Sequence, residues 1–158
     1  METAYIALGA NISSPAGSPR ETLTAALGQL ADLGRVTARS SFYETAPVGF
    51  ADQPTFLNAA ARLETDLDPD TLLDRLLAIE RSFGRDRSHG IPNGPRTLDL
   101  DLLLYGSLIL DTPSLQLPHP RMAGRPFVLL PLAEIAPDLI HPQSNKTMKQ
   151  LLEDLTCK

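Results

Sequence analysis

Cysteine is almost missing from this chain: Cys157 is the single one in 158 residues. An intramolecular disulfide and a thiolate metal cluster are therefore both excluded, and a reducing compartment suits the sequence. Positive charge is scarce as well. Lys and Arg number 14 against 19 Asp and Glu, a formal charge of −5, so no surplus of cations exists to neutralise phosphates in bulk. General binding to nucleic acid or to an anionic membrane is not expected, and any anion site must be local. No stretch approaches the roughly twenty apolar residues a membrane span needs. The segment Met1 to Leu8 lacks a basic n-region, so a cytoplasmic location without export is expected. A Walker-type Gly-x-x-x-x-Gly-Lys-Ser/Thr run, Gly-x-Ser-x-Gly and His-Glu-x-x-His are all missing, which excludes a P-loop and the familiar signatures of serine hydrolases and zinc peptidases. Internal repeats and low-complexity tracts are also lacking. What is present, 42% hydrophobic residues, suits one compact domain over 1–158 with a substantial core.

The centre of the chain holds the most informative stretch, Gly94-Pro95-Arg96-Thr97-Leu98-Asp99-Leu100-Asp101-Leu102-Leu103-Leu104. Thr97, Asp99 and Asp101 alternate with leucines at a period of two, so a strand is expected with an apolar face and a polar face. Both carboxylates then point the same way, with Cα atoms about 6.6 to 7 Å apart. Two like charges backed by a core are costly unless a cation lies between them. A bare Asp-x-Asp is more often an acidic, half-exposed strand face; its neighbourhood decides otherwise here.

Before this stretch, Ala4 to Leu8 reads as a buried strand ended by Gly9-Ala10-Asn11. Ser18, Pro19 and Glu21 form a capping box for a helix with Leu23, Ala26, Leu27 and Leu30 inward, ended by Gly34. Val36 to Tyr43 suggests a second strand, followed by a long turn-rich loop, Glu44 to Pro54. A third strand puts Phe56 and Asn58 on one face. Asp68 and Pro69 then start a helix carrying Leu72, Leu73, Leu76, Ile79 and Phe83. The segment Gly84 to Arg96 is a basic loop with Arg85, Arg87 and Arg96 against Asp86. Beyond the acidic strand, a turn at Tyr105-Gly106-Ser107 and the run Leu108-Ile109-Leu110 suggest a hairpin. Arg125-Pro126-Phe127 opens an apolar helix closed by Pro137, Leu139 to Pro142 suggests a short strand, and Met148, Leu151, Leu152 and Leu155 mark a last helix. Strands and helices alternate irregularly with hairpin-like joins, which favours α+β with a mainly antiparallel sheet.

Oxygen ligands without a Cys/His cluster point to a hard cation, with Mg²⁺ the default when one or two carboxylates are offered and phosphate completes the shell. Arg85, Arg87, Arg96, Arg121, Arg125 and His119 are candidates for the phosphate oxygens, although a single arginine is more often a solvated surface charge. Phe56 and Asn58 on one face suit a flat heterocycle stacked on the ring and bonded at its edge, or equally core packing with a satisfied amide. The residues alone rank a Mg²⁺-dependent enzyme acting on a nucleoside polyphosphate first, an Asp-x-Asp glycosyltransferase second and a non-catalytic nucleotide-binding or scaffold domain third.

Gly94 to Leu103 closely resembles the signature of the 6-hydroxymethyl-7,8-dihydropterin pyrophosphokinase family of folate biosynthesis. The resemblance extends through Ala4 to Asn11, Ser41 to Pro47, Asp52 to Ala60, Ile79-Glu80, Gly84-Arg85, Pro118 to Met122, Arg125 to Phe127 and Pro131 to Pro137. It implies a ferredoxin-like α+β fold acting as a monomer that transfers pyrophosphate from ATP to the pterin hydroxymethyl oxygen, releasing AMP. It further implies that Asp99 and Asp101 hold two Mg²⁺ ions and act in catalysis with Arg85 and Arg96. Leu73, Glu80, Arg85, Arg87, Arg96, Leu102, His119 and Arg125 are expected along the ATP. Gly9, Phe56, Asn58 and Phe127, with Thr45, Ala46 and Val48, are expected around the pterin, and the loop from Gly84 to Pro95 is expected to close over ATP. Pro92-Asn93, Pro120 and Leu77 depart from the family pattern on the nucleotide side.

Overall fold

Period-two alternation sets the layers of the molecule. The computed structural model describes residues 1–45, 55–85 and 97–156. It contains strand β1 (Glu2–Ala10), helix α1 (Pro19–Leu30), strands β2 (Arg35–Arg39), β3 (Tyr43–Thr45) and β4 (Phe56–Thr65), helix α2 (Pro69–Ser82) and strand β5 (Asp99–Tyr105). Short strands β6 (Leu110–Asp111) and β7 (Gln116–Leu117), a 3-10 turn at Met122–Gly124, and helices α3 (Pro126–Ile135) and α4 (Met148–Thr156) follow. The main sheet runs β2-β4-β1-β5 with β3 also on β4, and its pairings are antiparallel. With β3 set aside as a short addition to the edge of β4, the β1-α1-β2-β4-α2-β5 order is the expected ferredoxin-like α+β arrangement.

One face of the sheet carries Ala4, Ile6, Leu8 and Ala10 from β1, Leu57, Ala59, Ala61 and Leu63 from β4, and Leu98, Leu100 and Leu102 around β5. These pack with Leu23, Leu30, Leu72 and Leu76 of α1 and α2 as the main core. The opposite face buries Tyr5, Ala60, Leu103 and Leu104 under α3 and α4. Leu103 leaves the core of Leu102 by ordinary alternation, but Leu104 joins Leu103 instead of returning to the main core because β5 bulges opposite Tyr5/Ile6, with Leu102 paired to Ile6 and Leu104 to Tyr5. One extra residue inverts the phase of alternation.

Both predicted helix starts form. Ser18 Oγ accepts from Glu21 N (3.3 Å) while Glu21 Oε1 accepts from Ser18 N (3.0 Å), and Asp68 Oδ1 accepts from Thr71 N (2.9 Å). Four expectations need correction. Helix α1 stops at Leu30, not at Gly34, closing through Ala31 N to Gly28 O and Leu33 N to Leu30 O. Gly34 serves the sheet instead: a Cβ there would collide with the Glu64 carbonyl oxygen of β4. The single strand expected over 36–43 is two, β2 and β3, because Ser40 turns aside and bonds Ala60 through both its backbone and its hydroxyl. The run Leu108 to Leu110 does not return along β5; β6 pairs with β7, and Leu108 and Ile109 are exposed. Leu139 to Pro142 makes only an isolated bridge, Ile140 to Thr147.

Candidate active site

The register across the sheet assembles the site. Gly9 pairs with Asn58 on one side and Asp99 on the other, and Ala7 pairs with Ala60 and Asp101. The side chains of Asn58 and Asp99 therefore flank Gly9 in one row, with Asp101 in the next, on the face turned away from α1 and α2. A Cβ on Gly9 would lie 3.1 Å from Asn58 Oδ1, so the missing side chain leaves a floor between amide and carboxylate. Above it opens a slot of about 150 Å³ lined by Thr45, Phe56 and Asn58, by Asp99 and Asp101, and by Arg125 and Phe127 at the start of α3. Both phenylalanines are half-buried, leaving ring surface exposed to a planar ligand. Asn58 Nδ2 donates to Thr45 Oγ1, which orients the amide, and the Arg125 guanidinium lies 5.6 Å from the Phe127 ring centroid.

Glu80 supports the aspartate strand from outside the slot. It is 1% exposed, and its Oε2 accepts from Leu100 N at 2.7 Å. Strand β5 is an edge strand, so the amide between the two aspartates is satisfied by this carboxylate rather than by another strand. Arg85 N donates to the Glu80 carbonyl (3.1 Å), which ties the beginning of the basic segment to the same helix.

His119 is held by its backbone N–H on Leu103 O (2.8 Å), and its Nδ1 accepts from Arg121 N (3.2 Å). Burial first, then Arg125 and Arg121, push its pKa down to about 4, opposed by Asp99. At neutral pH the imidazole is uncharged with its proton on Nε2, a donor for an anionic oxygen. Burial also lowers His141, whose Nδ1 accepts from Gln143 N and Ser144 N. Unfolded histidine charges near 6.5, whereas the folded chain keeps His119 neutral down to about 4. Between those values the unfolded state binds more protons, so stability is expected to fall as pH drops through that window. Urea unfolding at pH 7 and pH 5 without ligands checks this; His119→Gln should flatten the slope, and a slope unchanged in that variant would assign it to other groups. Glu21, Asp68 and Glu134 are held below their ordinary values of 4.5, 3.8 and 4.5. Their contribution is lost only at more acidic pH.

The slot thus gathers Gly9, Thr45, Phe56, Asn58, Asp99, Asp101, Arg125 and Phe127. Leu102 belongs to the main core and Leu73 packs against it; these two, with Glu80, Arg85 and His119, are not among the residues lining the slot. Arg87, Arg96, Ala46 and Val48, the departures at Pro92-Asn93, and the segment 86–95 lie outside the described residues. Ala7, Leu8, Gly124, Pro126 and Val128 also line the slot without having been expected there. Ala7 was accessible to sequence reading through its alternation with Gly9; Gly124, Pro126 and Val128 depend on how α3 meets the sheet.

A ferredoxin-like domain that places paired carboxylates, an arginine and two aromatic faces in one slot defines a class of small α+β proteins whose site has the chemistry to take a flat ring beside an anion. The sequence profile of 7,8-dihydro-6-hydroxymethylpterin-pyrophosphokinase (HPPK) matches residues 5–137. The 2-amino-4-hydroxy-6-hydroxymethyldihydropteridine pyrophosphokinase of Haemophilus influenzae is 48% identical over 144 residues, covering 91% of this chain and 88% of that protein. The protein of the same name from Synechocystis is 44% identical, covering 98% and 76%. The folic acid synthesis protein fol1 of Pneumocystis carinii is 38% identical over 98% of this chain but only 20% of that protein. The crystal structure of Plasmodium falciparum HPPK-DHPS with pteroate superposes with a TM-score of 0.75 at 15% identity, over 97% of this chain and 42% of that one, a likeness of fold. The chain belongs to the 7,8-dihydro-6-hydroxymethylpterin-pyrophosphokinase family.

Proposed function

We propose that the slot over Gly9 is where a dihydropterin and the triphosphate of ATP meet, with Phe56, Asn58 and Phe127 on the pterin and Asp99, Asp101 and Arg125 toward the phosphates. The chain is a pyrophosphokinase of folate biosynthesis: it transfers pyrophosphate to the hydroxymethyl group of 6-hydroxymethyl-7,8-dihydropterin. The observation that carries the assignment of roles is the row Asn58–Gly9–Asp99, which sets an edge-reading amide and a carboxylate on either side of one open floor.

The two aspartates lie on one face, and among the described residues no group of three or more His, Cys, Asp and Glu is placed to hold a metal. That donor set suits a hard cation whose shell is completed by phosphate oxygens and water. Two Mg²⁺ ions on Asp99 and Asp101 would supply neutralisation of the triphosphate charge. Phe56 and Phe127 stack the pterin and exclude water from its faces, and Asn58 with Thr45 fixes its edge. Arg125 neutralises phosphate charge, and His119 donates from Nε2. Arg85, with Arg87 and Arg96 from the segment beside it, adds further positive charge along ATP, next to Glu80, Leu73 and Leu102. The hydroxymethyl oxygen then forms a bond to the β-phosphorus, the bond from that phosphorus to the α-phosphate oxygen breaks, AMP takes the electron pair, and the hydroxyl proton leaves to solvent. Positioning and charge neutralisation, more than a strong base, are what this transfer requires.

The chain is read as one pyrophosphokinase domain over 1–158, acting as a cytoplasmic monomer without nucleic acid or membrane partners. Incubation with ATP and the reduced hydroxymethylpterin is expected to give AMP and the pterin pyrophosphate, with activity lost in EDTA and restored by Mg²⁺. ADP as the product, or full turnover in EDTA, would overturn the mechanism.

A further inference from the structure

Helix α3 touches the slot at one end only. Its first turn carries Phe127, and its last turn carries Glu134, which does not line the slot. The Glu134 carboxylate instead accepts from three donors far away in sequence: Ser41 N to Oε1 (3.0 Å) and Oε2 (3.1 Å), Ser41 Oγ to Oε2 (3.1 Å) and Tyr43 OH to Oε1 (2.6 Å). Ser41 and Tyr43 lead into and begin β3, a strand of three residues that, among the described residues, pairs with β4. Tyr43 pairs with Asn58 and Thr45 pairs with Phe56, and Thr45 accepts from the Asn58 amide. So the element that presents one ring, Phe127, is bonded through Glu134 to the short strand that orients Asn58 and lies beside the other ring, Phe56.

We infer that Glu134 is a positioning residue for the pterin side of the slot: by bonding α3 to Ser41 and Tyr43 it sets the separation between Phe127 and the Phe56–Asn58 row. Two features argue that the carboxylate is held rather than incidental. Three donors converge on it from two residues, and a carboxylate that accepts several hydrogen bonds orders its partners more strongly than a neutral acceptor. The bonds also leave an electrical signature, because the Tyr43 hydroxyl and the Ser41 groups hold Glu134 below the ordinary carboxylate range while Glu134 raises the Tyr43 phenol above its own. Among the described residues β3 is held by its pairing with β4 and by this clamp to α3, so releasing the clamp is expected to loosen Thr45 and Asn58 before it loosens the sheet. The aspartates lie on β5, two strands away from β4 across β1, and should not register the change.

The inference rests on the reading of the slot as the pterin site, and the test separates the two. Steady-state kinetics of the full chain are measured for wild type, Glu134→Ala, Glu134→Gln, Tyr43→Phe and Phe127→Ala, varying pterin and ATP separately. Glu134→Ala is expected to raise the pterin KM about tenfold, with the ATP KM and kcat at saturating pterin within about twofold. Glu134→Gln, which keeps one acceptor oxygen, should fall between, and ultraviolet titration should show the Tyr43 phenol returning toward its ordinary value in both variants. Combining Glu134→Ala with Tyr43→Phe should cost less than the sum of the two. An unchanged pterin KM in Glu134→Ala, or equal rises in both KM values with a lowered melting temperature, would overturn the positioning role. If Phe127→Ala also leaves the pterin KM unchanged, the slot assignment itself fails; if it raises that KM and Glu134→Ala does not, only the clamp fails.

Discussion

Replacing Asp101 by alanine is expected to lower turnover about a thousandfold or more, because a ligand that neutralises transferring phosphates supplies several kcal/mol and each 1.4 kcal/mol is a factor of ten. Asp99→Ala should behave alike, since the two side chains sit in adjacent rows of one sheet face. The melting temperature is expected to move by no more than about 2 °C. Both aspartates are only half-buried, and removing one relieves repulsion from the other in the ligand-free protein. The separation of the two effects is what distinguishes a catalytic pair from an acidic strand face. A variant that unfolds readily, yet whose folded fraction turns over normally, would return Asp99 and Asp101 to a structural role. Mg²⁺ titration adds a second reading: the single variants should need more metal for their residual activity, and an unchanged requirement would remove the carboxylates from the metal site.

The largest expected loss of stability comes from a glycine outside the slot. Gly34→Ala drives a methyl group into the Glu64 carbonyl of β4, a strand that pairs with β1 from Glu2–Thr65 to Ala10–Leu57. The obstacle is backbone of a central strand, which cannot swing aside as a side chain would, so a cost of about 3 kcal/mol is expected. Gly28→Ala has the opposite sign. Beyond the helix's own backbone and the adjoining residues nothing lies within 4 Å of a Cβ there, the position is exposed on α1, and alanine in a helix interior is better than glycine by about 0.5 to 1 kcal/mol. Chemical denaturation of both variants decides the matter, and a Gly34→Ala protein as stable as wild type would contradict the close approach.

Residues whose role depends on near neighbours were legible without coordinates. Ser18 with Glu21 and Asp68 with Pro69 declare helix starts because a cap needs only the next three residues. Asp99 and Asp101 declare a shared face because side-chain direction in a strand follows parity. Where parity breaks, the sequence signal breaks with it: alternation would return Leu104 to the core of Leu102, and only the bulge opposite Tyr5 and Ile6 places it with Leu103 in the other core. Gly34 carried a true signal with a wrong cause, since a glycine required by a passing strand has the same letter as one that ends a helix. Leu108 to Leu110 was apolar enough for a hairpin, but its partner is chosen by what else competes for β5, and His119 N already takes the Leu103 carbonyl where the run would have returned.

The stretch from Thr97 to Leu104 therefore determined by itself that two acids share one strand face backed by leucines, and local physics was sufficient for that. Everything that makes the pair a site was decided by tertiary structure. Gly9 stands between Asp99 and Asn58 because β1 lies between β5 and β4, Phe127 reaches the slot because α3 crosses the same face, and Glu134 meets Ser41 across 93 positions of chain. Such contacts arise from strand order and helix docking, long-range packing choices that no run of neighbouring residues records.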